Sequence, residues 1–309
     1  MLKLKGCGTA LVTPFRDGEV DYDALKAMVL RQVEAGVDFL VPLGSTAETP
    51  CLEDDEKVAI LKLVRSLAPG VPVVVGVGTN SLTATIRNIR LLEPYGPDAF
   101  LVVVPYYNKP TQEGMFQYFK AVAEASSKPI VLYNVPGRTG SNMLSSTTLR
   151  LAQIPGIIAV KEASGNVAQI KEILDARPFG FSVLSGNDDQ TLELMVAGAD
   201  GVISVASNID PAGVAAMTTA LRFWEFARAG EMDAALVPLY DACFVESNPI
   251  PVKAGLSLLG LCTPEMRLPL TTAVPSTFET MRSVIDGLFA RGLHFWPGPR
   301  AVNRPQNGV

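Results

Sequence analysis

The chain has 309 residues, 48% of them hydrophobic and 18% charged, with a formal net charge of −5 at pH 7. That length suits one large domain or two modest ones with a sizeable core, and an acidic balance without any basic block argues against nucleic acid and anionic membrane as partners. The single histidine, His294, lies near the C-terminus between Leu293 and Phe295. One histidine rules out most familiar metal sites and any Ser-His-Asp triad, so no metal is expected and other side chains must move protons. Cys7, Cys51, Cys243 and Cys262 are scattered without a C-x-x-C pair. The N-terminus "MLKLKGCGTALVTPF" has no long apolar stretch before its glycines. No apolar run reaches the roughly 18 residues of a membrane span. The expectation is a cytoplasmic protein with reduced thiols, no signal peptide and no membrane segment.

In chain order, β-branched runs recur at "GTALVTP" (8–14), "DFLVPLG" (38–44), "VPVVVGV" (71–77), "AFLVVVP" (99–105), "PIVLYNV" (129–135), "IIAVKEA" (157–163), "FSVLSGN" (181–187) and "DGVISVAS" (200–207). Each is nearly continuous in apolar character, which suits parallel strands covered on both faces. Segments of helical spacing separate them. In "DYDALKAMVLRQVEAG", Leu25, Met28, Val29 and Val33 share a face and Gly36 closes the helix. "LEDDEKVAILKLVRSLAPG" carries acids in its first turn, where they favour a helix N-terminus. The βα pattern repeats eight times within about 225 residues, which predicts a (β/α)8 TIM barrel. An open doubly wound sheet is the alternative, but "GVGTNS" at 76–81 lacks the G-x-G-x-x-G spacing of a dinucleotide site. Beyond the barrel, "MDAALVPLYDACFVES", "PVKAGLSLLG" and "PSTFETMRSVIDGLFARG" are amphipathic. The expected division is a barrel over 1–228, a C-terminal helical appendix over 229–296, and a Pro/Gly/Asn-rich tail over 297–309 that is expected to be mobile.

"PGIIAVKEASGN" (155–166) drives a lysine, Lys161, to the end of a buried run. Strand ends at the C-terminal face of such a barrel form its active site. Those ends supply Ser45, Thr46 and Glu48; Tyr106, Tyr107 and Asn108; Tyr133 and Arg138; Lys161; and Gly186, Asn187 and Asp188. Alternation places Ala159 and Lys161 on one face, matched by Val131 and Tyr133 on the preceding strand. Burial penalises the charged form of an amine, and a neutral amine is a nucleophile toward a ketone or aldehyde. A tyrosine can relay protons where histidine is absent, and Ser45 could pass the proton on. Backbone N–H groups around Gly44-Ser45-Thr46 could hold a carboxylate, and Arg138 could grip a second one bidentately. Taken singly, each residue has a plainer explanation. A strand lysine often snorkels or pairs with an acid, although Glu162 falls on the opposite face. Tyr133 alone suits a core, Tyr106 and Tyr107 an interface, Arg138 a surface loop, Glu162 and Asp188 a framework, and Asn134 a turn. The argument lies in their meeting at one rim.

The stretches "GSTAET", "PYYNKPTQEG", "YNVPGRTG", "VKEASGN", "SGNDD", "GVISVASN" and "ESNPIPVKAGL" together resemble the dihydrodipicolinate synthase family. These are class I pyruvate-dependent lyases that also include N-acetylneuraminate lyase. The resemblance runs from about Gly8 to 256 and implies a carbon–oxygen lyase of diaminopimelate and lysine biosynthesis. It implies that Lys161 forms a Schiff base with pyruvate, with Tyr133 as acid–base partner. Ser45 and Tyr107 would complete a proton relay, with Tyr107 supplied by the neighbouring subunit. Thr46 would hold the pyruvate carboxylate and Arg138 that of L-aspartate 4-semialdehyde. Gly186 and Ile203 would line the pocket through their backbones. It further implies no cofactor and a homotetramer built as a dimer of dimers. The family's Gly-Thr-Thr-Gly-Glu stands here as Gly44-Ser45-Thr46-Ala47-Glu48, and its Ser-Gly-Asp-Asp as Ser185-Gly186-Asn187-Asp188. Serine keeps the hydroxyl, and Ala47 means that position does not need a strongly positive φ. Two alternatives follow: a lyase of a sugar-derived 2-oxo acid, of N-acetylneuraminate or 2-keto-3-deoxygluconate type, and a non-catalytic ligand-binding paralogue. Arg138 argues against the first, and the joint presence of Lys161, Tyr133, Ser45 and Tyr107 against the second.

Overall fold

The computed structural model describes residues 2–290 and residue 292. Eight strands carry the architecture: β1 (Gly6–Ala10), β2 (Phe39–Val41), β3 (Val74–Gly76), β4 (Ala99–Val103), β5 (Ile130–Asn134), β6 (Ile157–Glu162), β7 (Ser182–Ser185) and β8 (Gly201–Ser204). Neighbours pair in parallel in the order β2-β1-β8-β7-β6-β5-β4-β3. A parallel bridge between Leu40 and Val73 joins the two ends of that order and makes a barrel. The expected eightfold βα pattern is present. Every strand is shorter than its apolar run; most lose residues where the chain leaves the ladder at the C-terminal face, and Leu43, two residues beyond β2, has a φ of 58°.

Helices follow the strands: α1 (Tyr22–Glu34), α2 (Asp54–Leu67), α3 (Leu82–Leu92), α4 (Gln112–Glu124), α5 (Ser145–Leu151), α6 (Val167–Ala176), α7 (Thr191–Val196) and α8 (Pro211–Arg222). Their starts are written in the sequence. Asp21, Thr111, Asn166 and Asp210 each accept an N–H three residues on, at 2.9 to 3.1 Å, which satisfies donors that the helix leaves unpaired. Two apolar layers result. Phe39, Val74, Leu101, Val131, Leu184 and Ile203 fill the barrel, and a larger cluster lies between strands and helices.

The opposite, N-terminal face repeats one device. Asp38, Asp98 and Asp200 accept the backbone N–H of Cys7, Val73 and Val183 at 2.9, 2.8 and 2.9 Å. Each also pairs with an arginine, Arg222, Arg65 and Arg177 respectively. These carboxylates tie adjacent strands at the end away from the site.

Three helices follow the barrel: α9 (Phe226–Ala242), α10 (Ile250–Leu258) and α11 (Pro275–Ala290). The expected boundary at 228 falls in the first turn of α9, which starts six residues before the helical stretch singled out in the sequence. The expected tail over 297–309 and His294 lie outside the described residues. A short hairpin, Phe15–Arg16 with Glu19–Val20, was not expected and clasps the appendix. Phe15 is fully buried, with Lys253 Nζ 4.3 Å and Arg267 Cζ 4.5 Å from its ring centre. Arg267 donates to both oxygens of Glu56, each at 2.6 Å. Among the described residues no helix is long and apolar enough to cross a membrane.

Candidate active site

Lys161 and Tyr133 meet because of a fault in the ladder. Ile130 pairs with Ile157, but Val131 pairs with Ala159 and Tyr133 with Lys161. Ile158 is the extra residue, and Ile158 and Ala159 both face the barrel interior. Strict alternation from Ile157, which faces the helices, would turn Lys161 outward. The bulge resets the phase and turns it in. Lys161 is 4% exposed and Tyr133 6%, with the amine 4.3 Å from the phenol ring centre. Among the described residues Lys161 makes no salt bridge.

Gly186 leaves room for that lysine. A Cβ there would lie 3.1 Å from Lys161 Cε and 2.6 Å from Ala163 Cβ. Gly186 N is meanwhile tied to Glu162 O at 2.8 Å, so β6 and β7 are drawn together at this point. Ile203, fully buried in β8, pairs with Gly8 across the barrel wall.

A cavity of about 350 Å³ opens above the strand ends, lined by Ser45, Tyr106, Tyr133, Arg138 and Thr139, and continues to Lys57 and Arg87. Ser45 and Thr46 lie in a tight turn, Ser45–Ala47. Ala47 has an ordinary φ, whereas Glu48 takes φ 54° and ψ 34°, so alanine at 47 meets no strain. Thr46 is 2% exposed, and its Oγ1 accepts from Asn248 Nδ2 at 2.9 Å. Arg138 Nη2 donates to the Asn248 carbonyl at 3.0 Å.

Other rim residues are placed differently. Tyr107 is 88% exposed with a φ of 71°, and does not join the cavity within its own chain. Asn108 donates to Asn80 O at 2.9 Å, and Asn187 to Gln190 Oε1 at 3.0 Å. The Glu48 carboxylate turns away from the mouth and meets Lys253 Nζ at 2.8 Å, both side chains being 0% exposed. Burial pulls the Lys253 ammonium below its ordinary value, and Glu48 opposes that pull.

Glu162 and Asp188 are framework, as expected. Glu162 accepts from Asn134 Nδ2 at 3.0 Å and from Ser164 N at 2.9 Å. Burial pushes its carboxyl up, and these hydrogen bonds pull it part of the way back. Asp188 Oδ2 takes the N–H groups of Val205 and Ala206 at 2.9 and 3.1 Å. Burial raises its carboxyl too, offset by Ser204, those amides and the charge of Lys161. Asn134 does not turn the chain; it ends β5 and braces Glu162 against Met143, whose carbonyl its Nδ2 also reaches at 3.2 Å.

Sequence reasoning missed the parts of Asn248 and Lys253. Lys253 carries the signal used for Lys161, a lysine inside an apolar run ("IPVKAGL"). Its buried acid comes from a residue 205 positions away, which no local pattern reports.

Comparison with known proteins agrees with this geometry. A model of the dihydrodipicolinate synthetase family matches residues 3–287. The chain is 46% identical to the 4-hydroxy-tetrahydrodipicolinate synthase of Phocaeicola vulgatus, over 93% of this chain and 97% of that one. It is 47% identical to the enzyme of the same name from Koribacter versatilis, over 92% and 95%. The crystal structure of dihydrodipicolinate synthase from Thermotoga maritima superposes with a TM-score of 0.92 at 41% identity, covering 95% of this chain and all of that one. A barrel with an inward lysine beside a phenol, matched over nearly its whole length at these identities, places the chain in the dihydrodipicolinate synthetase family.

Proposed function

We propose that the protein is a 4-hydroxy-tetrahydrodipicolinate synthase, a lyase that condenses pyruvate with L-aspartate 4-semialdehyde in diaminopimelate and lysine biosynthesis. The observation that carries the reading is Lys161: buried, turned inward by a bulge, 4.3 Å from the Tyr133 ring, and without a salt bridge among the described residues.

The Lys161 amine attacks C2 of pyruvate, and loss of water gives an imine. Tyr133 moves the protons of that addition and elimination, with Ser45 and Tyr107 relaying them toward solvent. The Thr46 hydroxyl and the backbone of its turn hold the pyruvate carboxylate. Loss of a C3 proton gives the enamine, whose carbon attacks the aldehyde, and the new alkoxide takes a proton. The amino group of the second substrate then displaces Lys161 from C2, closing the ring and freeing the enzyme. One water leaves overall and no electrons are transferred, so the chemistry balances without a redox cofactor. Arg138 receives the carboxylate of the aldehyde, which favours this substrate over a polyol. Gly186 and Ile203 shape the pocket through their backbones.

Tyr107 supports a shared site. It is 88% exposed yet held at a φ of 71°, a costly conformation for a tyrosine. A neighbouring copy of the chain would receive its phenol, consistent with a dimer of dimers. The free cysteines suit a reducing cytoplasm.

The test is direct. Purified protein with pyruvate and borohydride should gain one pyruvyl adduct per chain, located on Lys161 by peptide mass spectrometry. With L-aspartate 4-semialdehyde added instead of borohydride, it should form the cyclic product. An adduct that persists in Lys161→Ala, or a product formed only from sugar-derived 2-oxo acids, would refute the assignment.

A further inference from the structure

Asn248 lies between α9 and α10, far in sequence from the barrel strands, yet it touches both groups assigned to substrate carboxylates. Its Nδ2 donates to Thr46 Oγ1 at 2.9 Å. Its backbone carbonyl accepts from Arg138 Nη2 at 3.0 Å. The residue is 4% exposed, and its Oδ1 has no hydrogen-bond partner among the described residues. An amide kept for packing alone would satisfy both of its ends, because an unmet buried polar atom is costly. This one commits its donor to Thr46 and leaves its acceptor unmet.

The direction of the Thr46 bond has a chemical consequence. A hydroxyl has one proton to donate. A Thr46 oxygen that already accepts from Asn248 keeps its own proton free, and that proton is then available to an anion. A carboxylate in the turn would receive a charge-assisted hydrogen bond. The Asn248 carbonyl meanwhile holds one nitrogen of the Arg138 guanidinium, and the remaining N–H groups stay available to a second anion.

We propose that Asn248 is a positioning residue for both substrate carboxylates: its side chain orients the Thr46 hydroxyl toward pyruvate, and its main chain braces Arg138 for the aldehyde. The proposal rests on the function given above. Because one arm is side chain and the other main chain, substitution separates them. Asn248→Ala removes only the first arm, so half-saturation by pyruvate should rise about tenfold or more, the scale of one hydrogen bond to a charged group, while half-saturation by the aldehyde stays within twofold. In a Thr46→Val background the same substitution should add nothing to the pyruvate effect. Asn248→Asp keeps the size but replaces the donor with an acceptor. It should turn the Thr46 proton away from pyruvate and weaken pyruvate at least as much, with recovery as the pH is lowered to protonate the new carboxyl.

The measurement is the pyruvate dependence of borohydride trapping on Lys161, with steady-state kinetics for the aldehyde. Equal loss for both substrates, additivity with Thr46→Val, or Asn248→Asp behaving as wild type would overturn the proposal. If Asn248→Ala does not fold, Asn248→Asp decides alone. A wild-type protein that traps no pyruvate overturns the parent reading and this one with it; a wild type that traps normally beside an unaltered Asn248→Ala overturns this one only.

Discussion

Replacing Gly186 with alanine adds one methyl group at the tightest point of the site. Its Cβ would sit 2.6 Å from Ala163 Cβ, 3.1 Å from Lys161 Cε and 3.2 Å from Glu162 O. Carbon pairs rest at about 3.5–4.0 Å, so the Ala163 contact is too short by about 1 Å. Residue 186 cannot simply retreat, because its N–H is bonded to Glu162 O at 2.8 Å. The backbone about Ala163 must shift to relieve that clash, and the Lys161 side chain, at 3.1 Å, must give by a few tenths of an ångström. Overpacking of this kind costs roughly 1–3 kcal/mol of stability. Displacing a reacting atom by about 1 Å costs on the order of a hundredfold in rate. The shift at Lys161 is a fraction of that, so Gly186→Ala should trap pyruvate about ten times more slowly, with a modest fall in the urea midpoint. Gly230→Ala, within α9, is the control, since beyond its chain neighbours and its own helix backbone no atom lies within 4 Å of the Cβ it would add. The assay is a borohydride quench series read by intact mass, beside urea melts of all three proteins. Wild-type trapping at wild-type stability in Gly186→Ala would refute the claim that this glycine makes room for the lysine.

Lys253→Met should destabilise the fold by about 3–5 kcal/mol, because it strands the Glu48 carboxylate in the interior. Combining it with Glu48→Gln should restore much of that loss, and a urea double-mutant cycle showing simple additivity would contradict the pairing. Glu162 gives a pH signature. Burial raises its carboxyl above the ordinary 4.5, so the native state keeps a proton that the unfolded chain releases as the pH rises past that value. Stability must then fall with rising pH from the unfolded to the folded pKa, and lose nothing further above it. Glu162→Gln should flatten that segment in denaturant melts taken across pH 4–8; an unchanged slope would show that another group is responsible. Arg138→Ala should lower kcat/KM for the aldehyde by roughly 2–5 kcal/mol and leave pyruvate trapping on Lys161 intact, whereas a collapse of trapping would mean that the arginine serves the first substrate.

The barrel was legible in the sequence because its causes are local. Buried parallel strands need unbroken apolar runs, and their helices need one apolar face and a capping residue such as Asp21 or Asp210. The rim was legible for the same reason, since the chain leaves each strand at a fixed end. Individual roles at the rim were less so. Glu48 stood among the candidates and proved to be the buried partner of Lys253, and Asn134 proved to be a strut. Lys161 and Lys253 present the same local picture, a lysine inside an apolar run. The first lies over a phenol ring that lines the cavity, and the second faces a carboxylate 205 residues away. Even the inward direction of Lys161 is not settled by strand periodicity. It depends on a one-residue slip that leaves Ile158 without a partner on β5. Periodicity records what a residue prefers to be buried against, and folding alone decides which distant groups arrive there. The free energy of a buried charge is set by those groups, so the sequence pointed to a buried lysine at 161, and the tertiary structure decided that Lys253 would be buried too and meet Glu48, while Lys161 makes no salt bridge among the described residues.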